Sequence, residues 1–171
     1  RTKLLYDLAY AMRLERTPDG RLVFLCSGEP PHGSALLKLS PDGERLEVLA
    51  RGFRHPFGIG AGPNGAITAA DNEGNWVPSS KIDLITPGGF YGFLGGATEQ
   101  GDNPKPLRPL CYIPKVADNS SGGQFWQTSE AWGQYHRGGM FHFSWGRCTL
   151  HAVLEHHAGA VHQAATVEVP G

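Results

Sequence analysis

The sequence predicts an all-β protein that forms part of a β-propeller, and three observations support this fold class. Gly and Pro account for 24 and 13 of the 171 residues, which interrupts the chain too often for long helices. Aromatic residues make up 10% of the chain and the formal net charge is −1, a composition typical of a packed core rather than of disorder. The third observation is a tight-turn motif that recurs at a regular spacing.

Three turns share one pattern, Pro-Asp-Gly or Pro-Asn-Gly followed by an apolar run. Proline fixes φ at the second turn position, the Asp or Asn side chain bonds its own backbone, and glycine accepts a positive φ. The prolines are Pro18, Pro41 and Pro63, so the motif recurs twice within 45 residues. Because a four-stranded blade of that length contains two hairpins, the spacing predicts propeller blades.

Strands are predicted on both sides of these turns. Residues 3–16 lack Gly and Pro and fit either a helical stripe or an alternating strand. We favour the strand, since the segment runs directly into a hairpin turn. The other predicted strands are residues 22–26, 36–39, 46–49, 67–70, 82–85, 139–145 and 164–169.

The length predicts a single incomplete propeller domain over residues 1–171. At about 45 residues per blade the chain holds three to four blades, whereas a closed propeller needs roughly four to eight. Residues 94–109 contain three prolines and are predicted to be a loop or insertion, which leaves about three four-stranded blades. We therefore expect a fragment that is completed by the missing blades or by another copy of the chain.

Several classes of function are excluded by composition. A net charge of −1 gives no global field for nucleic acid, and no long apolar run predicts a membrane span. Three cysteines without a CxxC spacing argue against a zinc site or a disulfide scaffold. The chain shows neither a start methionine nor a signal segment, so we expect either a removed leader or a longer parent chain.

Polar residues that could carry chemistry lie in one window. Arg54 and His55 precede Pro56, and Asp71 and Asn72 follow a predicted apolar strand, so both pairs emerge at strand ends. Propeller loops at one end converge on the axis, where such residues could hold an anionic or metal-bound cofactor. A structural alternative stays open, in which Arg54 pairs with Asp71 or the Asp-Asn pair closes an Asx turn.

Two further segments are candidates for substrate binding. Asp118 and Asn119 open a run of small and polar residues, 118–123, whose backbone N–H groups would suit an anion or a sugar. The alternative is a simple turn. Trp76 could cap the axial end of the blades, although packing against the next blade is favoured.

Six of the eight histidines lie after residue 135. A metal site needs two or three of them to converge on one point. We interpret them as strand-surface and turn residues, with His156 and His157 in a turn before Gly159. No metal site is therefore predicted, and metal ligands stay unassigned.

Five short motifs follow one another in a fixed order within residues 40–93. They are Gly52-Phe53-Arg54-His55-Pro56-Phe57-Gly58, Gly62-Pro63-Asn64-Gly65, Asp71-Asn72, Ile82-Asp83-Leu84-Ile85 and Pro87-Gly88-Gly89-Phe90-Tyr91-Gly92. This order resembles that of the soluble quinoprotein glucose/sorbosone dehydrogenase family. Weaker matches at residues 27–33, 118–123 and 145–148 resemble the sorbosone-dehydrogenase-like branch of planctomycete-type bacteria.

This resemblance implies a six-bladed propeller that binds pyrroloquinoline quinone with calcium and oxidises sugars in the periplasm or outside the cell. Arg54 matches the arginine that pairs with the quinone carboxylates, and Asp71 and Asn72 match the acid and amide beside the cofactor. His55 stands where the family has Asn. The family's general-base histidine has no counterpart ahead of the first turn, and His32 is a weak candidate to replace it.

Three functions are therefore considered. A quinone-dependent sugar oxidoreductase is favoured by the order of the motifs. A non-catalytic propeller that binds a glycan or a partner domain is favoured by the missing base and by the His55 substitution. A calcium-dependent lactonase-type hydrolase is the third, with Asp71, Asn72, Asp118 and Asn119 as possible ligands.

Overall fold

The protein folds into three β-sheets that pack as blades of a partial propeller. The computed structural model describes residues 11–26, 34–74, 77–94, 105–133 and 137–170. These contain thirteen strands and one 3-10 turn, Pro63–Gly65, which confirms the predicted all-β fold class. Within these ranges no helix has the length and apolar character needed to cross a membrane.

The strands are numbered in chain order and follow one another through the blades. The first blade consists of β1 (Ala11–Arg16), β2 (Leu22–Cys26), β3 (Ala35–Leu39) and β4 (Leu46–Arg51), extended by the short parallel strand β8 (Gly89–Phe90). The second contains β5 (Pro56–Ala61), β6 (Ile67–Asp71), β7 (Ser79–Leu84) and β9 (Cys111–Pro114). The third contains β10 (Ser121–Trp126), β11 (Met140–Ser144), β12 (Thr149–Ala158) and β13 (Val161–Glu168).

The three predicted turns are the hairpin turns of the first two blades. The Pro18 turn joins β1 to β2, the Pro41 turn joins β3 to β4, and the Pro63 turn joins β5 to β6. Gly20 and Gly43 have φ of 82° and 73°, the left-handed region that these turns require. The corresponding turns of the first two blades, at Pro18 and Pro63, are 45 residues apart, whereas the third blade begins 65 residues after the second.

Most of the predicted strands are present in the structure, but four of the observed strands were not predicted. The predicted strand at 82–85 is the end of the longer β7, and the strand predicted at 3–16 is described from residue 11 onwards. β8, β9, β10 and β12 were not predicted as strands. β10 begins with Ser121-Gly122-Gly123, which has low β-propensity and was interpreted as part of a loop. Residues 95–104 of the predicted 94–109 insertion lie outside the described residues, so this assignment stays a prediction.

Two apolar cores lie between the blades. Blades one and two share a core of Val23, Leu25, Leu36, Leu49, Ala50, Phe53, Ile59, Ala69 and Tyr91. Blades two and three share a core of Ile82, Leu110, Cys111, Ile113, Met140 and Val153. Both cores consist of residues from two neighbouring sheets, as expected for blades packed face to face.

Glycines allow the first strands of neighbouring blades to approach closely. β5 packs between β1 and β10. A Cβ at Gly58 would lie 1.7 Å from the carbonyl oxygen of Gly122, and one at Gly60 would lie 2.8 Å from that of Gln124. A side chain at either position would therefore push β5 away from β10. This close contact also brings together the loops that build the candidate site.

Candidate functional site

A cavity lies where the second and third blades meet at one end. The loops before β5 and β10 and the loops after β6 and β11 meet there, because antiparallel strands return alternate connections to the same end. The cavity has a volume of about 240 Å³ and is called the blade-end cavity here. Its lining residues are His55, Phe57, Asn72, Ser120, Ser121 and Trp145.

Asp71 lies behind this cavity and holds one of its loops. It ends β6 with 0% exposure, and its two carboxylate oxygens accept hydrogen bonds from the backbone N–H groups of Arg54 and His55, both at 2.8 Å. Burial raises the pKa of Asp71, although Lys81 and the two N–H groups oppose this effect. The carboxylate therefore sets the conformation of the Arg54-His55 loop.

The Arg54 side chain bonds the backbone of Glu73 and forms no ion pair with Asp71. Its guanidinium donates to the backbone carbonyl of Glu73, and the residue is exposed. Asp71 is therefore hydrogen-bonded to the backbone N–H of Arg54 rather than paired with its side chain. The cation nearest to the Asp71 carboxylate is Lys81, at 3.8 Å. Arg54 consequently remains a cation at the surface near the cavity.

Asn72 connects the second blade to the third. Its Nδ2 donates to the carbonyl of His55 at 2.9 Å, and its Oδ1 accepts from the backbone N–H of Ser121 at 2.7 Å. The side chain is half-buried and lines the blade-end cavity. Because both ends of the amide are engaged, Asn72 fixes the relative position of His55 and the start of β10.

A buried lysine supports the same loop from within the second blade. Lys81 Nζ lies 2.8 Å from Asp83 Oδ2 and donates to the carbonyl of Tyr91, also at 2.8 Å. Burial raises the pKa of Asp83 to about 7, against the attraction of Lys81. Lys81 was not predicted as a site residue, although its spacing two residues before Asp83 in β7 places the two charges on one strand face and could have indicated the pair.

Another buried carboxylate, Asp118, lies just before the first strand of the third blade. It is fully buried and accepts hydrogen bonds from Ser121 Oγ and from His142 Nε2, the latter at 3.0 Å. Gln124 Nε2 donates to His142 Nδ1 at 2.9 Å, and Thr68 Oγ1 donates to Gln124 Oε1 at 3.1 Å. Burial would raise the pKa of Asp118, but the hydrogen bonds from His142 and Ser121 outweigh it, so the pKa is lowered.

The structure brings only some of the predicted site residues together, and Arg54 lies exposed on the loop beside the cavity. His55 and Asn72 line the cavity, whereas Asp71 and Asp118 lie buried behind it. Asn119 lies at the rim of the third blade, where its carbonyl accepts the N–H of Gly146 at 3.0 Å. His32 and Trp76 fall outside the described residues. The other lining residues are Ser120 and Ser121, from the run at 118–123 that was considered for binding an anion or a sugar, and Phe57 and Trp145, which were not predicted as site residues.

The interpretation of the late histidines was partly wrong. His142 and His151 are 0% and 2% exposed, so they are core residues rather than strand-surface residues. His156 and His157 lie within β12, and the turn follows at residues 159–160. Alternation alone could not separate a buried face from an exposed one, because both faces of blade strands can pack against neighbours.

Fold and site together define this protein as part of a β-propeller with a cavity at one end of its blades, lined by both aromatic and polar side chains. No family model matches the sequence, and no curated protein matches it. Solved structures do match in fold. A provisionally named oxidoreductase (glucose dehydrogenase) from Thermus thermophilus superposes with a TM-score of 0.72 at 20% identity, over 95% of this chain and 54% of that one.

Two further structures match in the same way. The PQQ-bound form of aldose sugar dehydrogenase from Streptomyces coelicolor has a TM-score of 0.64 at 16% identity, covering 91% of this chain and 48% of that chain. A structure named glucose dehydrogenase has a TM-score of 0.65 at 19% identity, covering 89% and 53%. At these identities the likeness establishes the fold. The chain spans about half the length of the structures it matches.

Proposed function

We propose that this chain is part of a quinone-dependent sugar dehydrogenase of the soluble glucose/sorbosone type. The blade-end cavity is its cofactor or substrate site, within a propeller of six blades. The observation that carries the proposal is the convergence of His55 and Asn72, both taken from the family-like motifs, with Ser121 and Trp145 of the next blade. The match in fold to a PQQ-bound aldose sugar dehydrogenase supports it.

The lining residues fit a planar polar ring system such as pyrroloquinoline quinone. Phe57 and Trp145 are 37% and 71% exposed and offer ring faces for stacking. His55, Asn72 and Ser120 add hydrogen-bonding groups, and the exposed guanidinium of Arg54 lies on the adjoining loop to pair with a carboxylate. When bound, the quinone would accept two electrons from the sugar.

His55 is the candidate proton acceptor within this cavity. Oxidation of a sugar hydroxyl requires a base for the proton, and imidazole is the side chain most often used. Among the cavity-lining residues that the structure describes, His55 alone carries a titratable side chain. Asp71 contributes by position, since it fixes the backbone of Arg54 and His55.

The described carboxylates do not fit a calcium site in this cavity. Asp71 and Asp118 are fully buried and already accept hydrogen bonds from the protein. The lactonase-type alternative depends on these carboxylates as metal ligands, so the sugar dehydrogenase is favoured over it. Calcium stays a prediction from the family resemblance, as does the planctomycete-type branch.

The proposal extends to location and assembly. A periplasmic or extracellular site is proposed because the family resemblance implies it. Completion of the propeller, by further blades or by another copy, is proposed because three blades fall short of the roughly four to eight that close a ring.

The test is quinone binding followed by sugar oxidation in the longest polypeptide that contains this chain. Purified protein is titrated with pyrroloquinoline quinone, and binding is followed by calorimetry and absorbance. Dye reduction is then measured with aldoses in the presence of calcium. We expect micromolar or tighter binding and turnover, and we expect Arg54→Gln to weaken quinone binding by about tenfold, the value of one charge-assisted hydrogen bond.

His55→Gln separates binding from chemistry. It should lower kcat by about 100-fold or more if the imidazole is the base, with a smaller change in quinone affinity. Arg45→Gln, in the turn between β3 and β4 at the opposite end of the first blade, is the matched control and should leave both unchanged. Quinone binding without turnover would favour the non-catalytic binding module, which the buried carboxylates also suit. Absence of quinone binding would remove the proposal.

A further inference from the structure

The outer hairpin of the third blade extends beyond the rest of its sheet. β12 pairs with β11 only from Thr149 to Val153, and residues 154–158 pair with β13. Leu154 and Val161 in this extension are 56% and 51% exposed. An isolated two-stranded ribbon is marginally stable in water, so the extension needs a further stabilising interaction.

Three metal-ligating side chains lie on one face of this extension. Strand register places His157 directly opposite His162, and Glu155 lies two residues before His157 on the same face. The two imidazole rings stack with centroids 3.8 Å apart. His162 Nε2 lies 2.8 Å from Glu155 Oε2, and one donor atom from each of the three side chains lies within 4.8 Å of the others.

The chemistry of this donor set selects a particular class of ion. Two imidazole nitrogens and one carboxylate oxygen are ligands typical of Zn²⁺, whereas Ca²⁺ and Mg²⁺ prefer oxygen ligands alone. Zn–N distances of about 2.0–2.1 Å require donor atoms roughly 3.4 Å apart, so a small rotation of the side chains would close the set. The hydrogen bond between His162 and Glu155 joins two of the ligand atoms, and a metal ion that binds both atoms would replace its proton.

Mutual contact and position favour a bound ion over three independent surface residues. The side chains of His162 and Glu155 are 23% and 30% exposed because they pack on each other, and His157 lies exposed against His162. The neighbouring residue Ala164 donates its N–H to the carbonyl of Leu110 at 2.8 Å, which anchors the base of the hairpin on the second blade. The part of the hairpin that is not anchored on another blade therefore begins next to Glu155, His157 and His162.

We propose that the hairpin binds Zn²⁺ through Glu155, His157 and His162, with water in the fourth position. The ion joins β12 to β13 and stabilises the extended ribbon. This site is separate from the blade-end cavity and does not depend on the function proposed for it.

The experiment is calorimetric titration of the full 171-residue chain with ZnCl₂ after removal of metal by a chelator. We expect one ion per chain, with no comparable heat from Ca²⁺ or Mg²⁺. His157→Ala and His162→Ala should each weaken Zn²⁺ binding by at least about tenfold, since even loss of a group that only orients a ligand costs about 10–100-fold. His156→Ala is the matched control, because His156 lies on the opposite face of the same strand.

Two measurements on the unmodified chain keep the test decisive if a variant fails to fold. Zn²⁺ should slow amide hydrogen exchange in residues 154–165 and leave the first blade unchanged. Co²⁺ in place of Zn²⁺ should give the visible absorption bands of a four- or five-coordinate ion. Equal affinity in His156→Ala and wild type supports the site. Three results would overturn the site. They are loss of Zn²⁺ binding in His156→Ala, retention of Zn²⁺ binding in the double variant His157→Ala/His162→Ala, and amide hydrogen exchange in the hairpin that Zn²⁺ does not change.

Discussion

The second and third blades each bury a carboxylate behind the cavity, but they stabilise it in different ways. In the second blade, Asp71 and Asp83 share one cation, Lys81, so the buried cluster carries more carboxylates than counterions. In the third blade, Asp118 receives hydrogen bonds from His142 and Ser121 and has no buried lysine beside it among the described residues. Burial raises the pKa of Asp83 to about 7, whereas the pKa of Asp118 is lowered.

This difference shows that burial alone does not determine the charge state of a carboxylate. A desolvated carboxylate stays ionised when enough hydrogen-bond donors face it, and it takes up a proton when they do not. Asp71 and Asp118 both lie buried behind the blade-end cavity, and each accepts a hydrogen bond from a residue that lines it. Their side chains therefore act on the site through the positions of His55 and Ser121.

Removal of the buried cation should have the largest effect on stability. Lys81→Met leaves Asp71 and Asp83 without their counterion at 0% exposure, so we expect a loss of about 3–5 kcal/mol in the free energy of unfolding. Chemical denaturation followed by circular dichroism measures this loss. Lys115→Met is the matched control, because Lys115 pairs with Glu73 at 3.6 Å while 66% exposed, and it should change stability by less than about 1 kcal/mol. An equal loss of stability in Lys81→Met and Lys115→Met would contradict a special contribution of the buried cation.

Substitution in the hydrogen-bond network around Asp118 in the third blade should cost less stability than loss of Lys81. Asp118→Asn keeps the shape but removes the charge that His142 and Ser121 face, so we expect a loss of about 1–3 kcal/mol. The same denaturation measurement applies, with the exposed Glu130→Gln in the same blade as control. A loss larger than that of Lys81→Met would reverse the comparison between the blades.

The pH dependence should differ in sign between the two blades, with effects of at most about 1.4 kcal/mol per pH unit for each proton. The folded pKa of Asp83 is raised to about 7, so its contribution to stability is present below the ordinary value of 3.8 and is lost as pH rises towards 7. The folded pKa of Asp118 is lowered, so its contribution is present above 3.8 and is lost as pH falls below it.

Two variants separate these contributions. Asp83→Asn should make the decline in stability between about pH 4 and pH 7 less steep, because one of the two buried carboxyls with a raised pKa, Asp71 and Asp83, is gone. Asp118→Asn should leave that range unchanged and remove the loss below about pH 4. Denaturation curves collected from about pH 3 to pH 8 give both slopes, and a common slope in the two variants would contradict the opposite pKa shifts.

The candidate site was predictable only in part. His55 and Asn72 belong to motifs that could be identified along the chain, and both line the cavity. Ser121 and Trp145 come from a different blade, and their place in the cavity depends on how β10 packs against β5. The strand at β10 could not be predicted from Ser121-Gly122-Gly123, because glycine is poor in isolated strands and is required here by the neighbouring blade.

The sequence by itself determined the hairpins and their 45-residue spacing, because proline, Asx and glycine impose a turn through local geometry alone. It also determined the all-β class through the same local interruptions of helix. Tertiary structure decided which carboxylates are buried, which strands approach through glycine, and which histidines meet across β12 and β13. These features depend on residues that are distant in the chain, and burial, register and desolvation arise only when the blades pack.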